Sequence, residues 1–161
     1  MLDTEALFAG FTPDIGFLDE ITPADPAAGA NLVIPRGQER WLQILAVRFT
    51  ITTSSAVANR FVAVDILGRG NVRAWRFGAT AVITASTTAQ EFQFDCAHTV
   101  SEWNTNTPIF APLYPVTLDA GWSAQITVDN IDTADQLNSV RCIVRRFFAD
   151  GIAGNRSNAD Y

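Results

Sequence analysis

The chain has 161 residues, 48% of them apolar and 17% charged. This is enough apolar chain for one domain with its own core, and it excludes a disordered chain. The net charge is −6 and all 11 basic residues are Arg. That excludes a general nucleic-acid surface, Schiff-base lysine chemistry and a phosphate-loop lysine.

Residues 1–30 differ in pattern from the rest of the chain. Leu7, Phe8, Phe11, Ile15, Phe17 and Leu18 recur without a steady period and are broken by Gly10, Pro13, Gly16, Pro23, Pro26 and Gly29. Such Pro and Gly density rules out a regular helix, while the aromatics are too apolar for a free linker. We expect an extended arm whose Phe8, Phe11 and Phe17 insert into a surface, either of its own domain or of a neighbouring subunit. On the second alternative, a chain cut at residue 30 keeps its fold and loses assembly. The opening Met1-Leu-Asp-Thr-Glu lacks the basic and apolar regions of a secretory signal, so export by that route is not expected. No apolar run reaches the roughly 18 residues of a membrane helix.

A sandwich domain is expected over residues 31–148. Asn31–Ile34 is a short strand stopped by Pro35-Arg36-Gly37. Trp41–Thr53 is the longest strand pattern, with Trp41, Leu45, Val47, Phe49 and Ile51 on one face and Arg48, Thr50 and Thr52 on the other. Arg60–Leu67 follows, then a turn at Gly68-Arg69-Gly70-Asn71. Val72–Phe77 and Ala79–Thr84 are strand pieces hinged by a bulge or bend at Gly78. Glu91–Cys96 alternates Phe92, Phe94 and Cys96 with polar residues. Ala97–Pro112 is the longest connection and carries His98, Trp103 and Phe110. Val116–Leu118 is a short strand, and Trp122–Asp129 alternates without a break. Asn130–Asn138 is a polar loop with room for one helical turn, and Ser139–Phe148 is the last strand. Residues 149–161 form a polar tail.

About eight strands with no long helix indicate an all-β fold. We expect a two-sheet sandwich of antiparallel strands, jelly-roll-like, with an immunoglobulin-like sandwich as the competing topology. The expected core is Leu45, Val47, Phe49, Ile51, Val62, Val64, Phe92, Phe94, Ile126, Val128, Val140 and Val144.

Chemistry-bearing residues are sparse. The sequence holds one His, His98, with no nucleophile elbow around it, so no catalytic triad is expected. Cys96 and Cys142 continue the apolar phase of their strands, which suits free core thiols better than a disulfide or a zinc site. Asp129-Asn130-Ile-Asp132-Thr-Ala-Asp135 gathers three carboxylates, but lacks the Gly and late Glu of a calcium loop and reads as a turn. Trp103, Phe110 and Tyr114 surround the long loop and could cover the core, anchor a protein contact or stack on a sugar. Arg145 and Arg141 share one face of the last strand and could pair with carboxylates of the same or another subunit. No catalytic residue, cofactor or metal ligand is assigned.

Val33-Ile-Pro-Arg-Gly37, the Trp41–Thr53 strand, Val57-Ala-Asn-Arg-Phe-Val62 and Val128-Asp-Asn-Ile-Asp-Thr-Ala-Asp135 occur in that order before the final strand. In this the chain resembles small β-sandwich virion proteins of tailed bacteriophages, the capsid decoration and accessory head or tail proteins. The resemblance covers residues 31–148 and supplies no active site. It implies a non-enzymatic structural subunit of a virion, most simply a capsid decoration or cement protein. It also implies contacts with its own copies and with the major capsid or other virion proteins, and neither nucleic acid nor membrane as partner. The alternatives are a tail or neck accessory protein and a carbohydrate- or receptor-binding fibre module.

Overall fold

The computed structural model describes residues 16–37, 39–96 and 108–147. The described chain is all-β: β1 Phe17–Ile21, β2 Leu32–Ile34, β3 Trp41–Thr52, β4 Arg60–Leu67, β5 Arg73–Ile83, β6 Gln90–Asp95, β7 Ile109–Pro112, β8 Val116–Leu118, β9 Ser123–Asp129 and β10 Gln136–Phe147. They form a 6-stranded sheet, β1-β10-β3-β6-β7 with β8 also on β3, and a 4-stranded sheet, β2-β9-β4-β5. Alternation explains why. Each strand turns one apolar row inward, and the two rows can leave water only by facing each other.

The pairings are nested. β1 pairs β10, β2 pairs β9, β3 pairs β6 and β4 pairs β5, all antiparallel. β10 also lies on β3, and β9 on β4, which knits the nested pairs into two sheets. One pairing departs from the expected antiparallel pattern: β7 runs parallel to β6. A parallel neighbour needs a long connection, and residues 97–108 supply it. Phe110, expected in a loop, therefore stands on a strand.

The core centres on Phe49, which stacks between Phe92 at 5.6 Å and Phe94 at 6.2 Å. The expected core residues are buried with one exception, Leu45, which is only half-buried. In β3 the register against β10 slips between Ala46 and Ile44. That bulge at Leu45 reverses the inward phase, so Leu42 and Ile44 fill the core ahead of it and Val47, Phe49 and Ile51 after it. Trp41 and Leu45, expected inward, lose the core to their neighbours. A second bulge at Ser139 (φ 54°) lets Leu137 and Val140 both point inward. The last strand thus begins at Gln136, earlier than its polar residues suggest. The break expected at Gly78 falls just beyond it, where residues 79–81 stand opposite Val62.

Part of the expected arm belongs to the larger sheet. Phe17–Ile21 pairs along Cys142–Arg146 of the same chain, and Ile21 is buried. Gly29 sits with φ +75° where a Cβ would lie 2.7 Å from the Cα of Thr133, so the backbone closes directly onto the 132–135 turn. Its N–H donates to the Asp135 carbonyl at 2.8 Å, and the Gln136 side chain donates to the Pro26 carbonyl at 2.8 Å. Residues 1–15 and 148–161, with Phe8 and Phe11, lie outside the described residues.

Candidate functional site

The expected contact residues do not converge. Phe17 lies on edge strand β1, 42% exposed, and its neighbour Leu18 pairs with Arg145 on β10. Phe110 lies on β7, at the opposite end of that sheet, half-buried beside Gln93. Trp103 and His98 lie outside the described residues. Phe17 of the expected arm and Phe110 of the expected long loop therefore stand at two separate edges of the larger sheet.

The acidic run 129–135 is a turn held by its own carboxylates. Asp132 accepts the Ala134 N–H at 3.0 Å, and Asp135 accepts the Asp132 N–H at 2.8 Å. Asp135 is committed to Arg60 as well. No cluster of three or more potential metal ligands occurs among the described residues. Cys96 and Cys142 are free thiols, the first half-buried and the second buried. Burial pushes the Cys142 thiol up to about 12. Burial, with the charge of Asp95, also raises Cys96.

On the outer face of the larger sheet, a shallow groove of about 310 Å³ runs past Glu20, Arg48, Gln93 and Arg141. Both of its arginines are paired: Arg48 with Glu91, and Arg141 with Glu20 at 3.8 Å, while Asp95 accepts from the Gln93 side chain. Exposed pairs of this kind contribute little.

The aromatic surface lies elsewhere. On β5, Trp75 and Phe77 stand opposite Ile66 and Val64, both fully buried, so they share the core-facing side of the smaller sheet. Here that side runs out from under the larger sheet. Trp75 is 50% exposed and stacks on Trp122 with centroids 5.5 Å apart, and Phe77 meets Tyr114, 69% exposed, at 6.1 Å. The four rings form one strip along the lip of the sandwich, beside the first residues of β5, all exposed.

Local sequence fixes this strip. Gly121 (φ +83°) permits the turn in which the Trp122 N–H donates to the Asp119 carbonyl at 3.0 Å. Arg36 then clamps that turn: Nη1 donates to the carbonyls of Asp119 and Trp122, and Nη2 to those of Glu39 and Arg40. The Trp122 ring passes 3.7 Å from the Cβ position of Gly68. Arg69 lies across Gly121 on the same side. Arg73 begins β5 two residues before Trp75.

A flat, partly exposed aromatic surface with the Arg69 side chain beside it can stack an aromatic or apolar partner. Sequence reasoning included Tyr114 but missed Trp75. The signal was present as Trp75-Arg-Phe77 in strand phase, yet only the sheet packing shows which end of β5 escapes cover. No protein-family model matches this chain, and no curated protein matches it.

Proposed function

We propose that this chain is a non-enzymatic structural subunit of a tailed-bacteriophage virion, a capsid decoration or cement protein that acts through contacts with its own copies and with shell proteins. The fold reading within it is a jelly roll. The nested pairing of β1 with β10, β2 with β9, β3 with β6 and β4 with β5 supports that topology, since eight strands folded as one long hairpin and then wound into two sheets meet in this order. β7 and β8 are additions to it.

The observation that carries the proposal is the placement of exposed apolar side chains. Several lie on strand faces and edges, Leu18 and Ile143 on one sheet, Phe61 and Val82 on the other and Trp75 at the lip, with Val57, Val72 and Tyr114 on the connections. Apolar surface of this flat kind suits protein–protein contact, which needs area more than depth. Mass spectrometry of gradient-purified particles of the encoding virus tests the proposal. The expected result is this chain at a fixed ratio to the major shell protein. Purified particles that contain none of this chain overturn the reading.

A further inference from the structure

We propose that the aromatic lip, Trp122, Trp75, Phe77 and Tyr114 with the exposed start of β5, receives residues 1–15 of a second copy of this chain. The inference rests on the proposed role as an assembling subunit and names the contact through which copies meet.

The composition of the two surfaces matches. Residues 1–15 carry Leu2, Leu7, Phe8, Phe11 and Ile15 with Asp3, Glu5 and Asp14, and no basic residue. The lip carries stacked aromatic rings with Arg69 at its margin, while Arg73 pairs with Asp65 at 3.7 Å on the other face of the sheet. Of the acids near the lip, Asp119 turns its carboxylate back onto the Ala120 N–H at 2.7 Å, and Asp65 is held by Arg76 and Arg73. An apolar, aromatic-bearing segment with acidic residues therefore meets an aromatic surface with one arginine, Arg69, beside it. In extended form Leu7 and Phe11 face the same side, because side chains alternate along a strand.

The backbone matches as well. Among the described residues β5 pairs only with β4, and Arg73–Arg76 are exposed on both faces. A strand laid along this edge gains ladder hydrogen bonds in addition to the aromatic contacts.

Direction favours a second copy. The described chain begins at Gly16, against β10 at the β1 end of the larger sheet, whereas β5 lies by β7 at the other end. To reach its own lip the segment must turn back around the outside of the sheet. With a copy docked side by side it runs straight on, spanning at most about 50 Å at roughly 3.3 Å per residue. The contact joins two different surfaces, so it propagates head to tail and closes into a ring when the rotation allows.

The test uses the full chain and two variants, Trp75→Ala and the double variant Leu7→Ser/Phe11→Ser, in sedimentation across a concentration series. Trp75 is half exposed, so its loss should leave the fold in place, and thermal melts check this. If Trp75→Ala does not fold, Tyr114→Ala takes its place. The expected result is a parent that self-associates and variants that each do so at least about tenfold more weakly, the equivalent of about 1.4 kcal/mol. Mixing the two variants should restore a mixed dimer, since each keeps the half that the other lacks.

A parent that associates with both variants unchanged overturns this contact and leaves the assembly reading standing. A monomeric parent whose tryptophan emission shifts in Leu7→Ser/Phe11→Ser shows the segment on its own lip and overturns the second copy as occupant. A monomeric parent whose emission is quenched by oligosaccharides, with the quenching lost in Trp75→Ala, makes the strip a sugar platform and overturns both readings. A monomeric parent that responds to neither overturns the inference.

Discussion

Arg60 and Asp135, 75 residues apart in sequence, meet as a two-pronged ion pair inside the protein, with Nε to Oδ2 at 2.8 Å and Nη2 to Oδ1 at 3.1 Å. Both side chains are fully buried. The remaining guanidinium donors reach the carbonyls of Ala56 and Ala58 and the hydroxyl of Ser54, while Asp135 accepts the N–H groups of Ser54 and Asp132. One pair thus ties the loop before β4 to the turn before β10. Burying two charges is costly, and this arrangement is tolerable because every polar atom has a partner.

Removing one member leaves the other charged and unpaired. Asp135→Leu or Arg60→Met should each destabilise the fold by about 3–5 kcal/mol. The double variant Arg60→Met/Asp135→Leu should cost clearly less than the sum. Urea midpoints for the three variants and the parent close the cycle. Simple additivity would show that the pair is not coupled.

Acid should unfold the protein partly through the same group. Burial alone would raise the Asp135 pKa, but the Arg60 hydrogen bonds, the N–H groups of Asp132 and Ser54 and the Arg60 charge hold it below the ordinary value of 3.8. Glu39 behaves alike: burial opposes, and its own and Gly37's N–H groups with Arg146 prevail, below 4.5. Both folded pKa values are depressed, so the unfolded chain binds protons first as pH falls. The stability they supply is complete above about pH 5–6 and is lost as pH drops through 4.5 and 3.8 toward the folded values. Denaturant melts from pH 7 to pH 3 should show this fall, and Asp135→Asn should flatten part of it. An unchanged slope in that variant would assign the acid sensitivity to other carboxylates.

Cys142 should be silent toward thiol reagents in the folded state. It is fully buried on β10, and its pKa is pushed up to about 12, so almost no thiolate exists at neutral pH. Half-buried Cys96 should react slowly, and both should react at once in denaturant. Mass spectrometry after timed alkylation separates the two. Rapid native labelling of Cys142 would place it at the surface.

Period and turn chemistry made much of the fold legible. Phe92 and Phe94, Ile126 and Val128, and Val62 and Val64 are inward as their alternation requires. Bulges were not legible, because an extra residue leaves both halves of a strand looking regular while reversing the face between them. Alternation alone therefore assigns Leu45 inward in place of Ile44 and leaves Leu137 in a loop. Arg60 was hidden for a different reason: nothing local says that an Arg at the start of a strand will be buried against an Asp 75 residues away. The aromatic lip was half-visible, since Trp75 and Phe77 alternate correctly but exposure depends on where the opposing sheet ends.

The bulge in β3 gives its own test. Ile44→Ala removes a fully buried side chain and should cost about 2–5 kcal/mol, and Phe49→Ala about 3–5 kcal/mol. Leu45→Ala, at the bulge and half-buried, should cost clearly less than Ile44→Ala. Thermal or urea melts rank the three. A larger loss for Leu45→Ala than for Ile44→Ala would restore the uninterrupted strand phase and remove the bulge.

Truncation at the N-terminus separates two roles within residues 1–30. On sequence alone, a cut at residue 30 is expected to leave the melting temperature nearly unchanged. The sheet reverses that expectation for the second half of the segment. β1 pairs with β10 from Phe17 to Ile21, and Ile21 is buried beside Cys142. Asp19 meets Arg146 at 2.7 Å, and the same Arg146 reaches Glu39 at 2.9 Å. Gly29 and Pro26 hold the turn that carries Asp135. Burial of Ile21 alone contributes about 1.5–3 kcal/mol, and each 1 kcal/mol moves the melting temperature of a chain this size by about 2–4 °C. A chain lacking residues 1–30 should therefore melt at least about 5 °C below the parent. A chain lacking residues 1–15 keeps all of these contacts and should melt within about 2 °C of the parent, corresponding to under roughly 1 kcal/mol. Differential scanning calorimetry on the parent and both truncations decides the matter. Equal losses from the two cuts would mean that residues 1–15 complete their own domain, whereas no loss from either would remove β1 from the sheet.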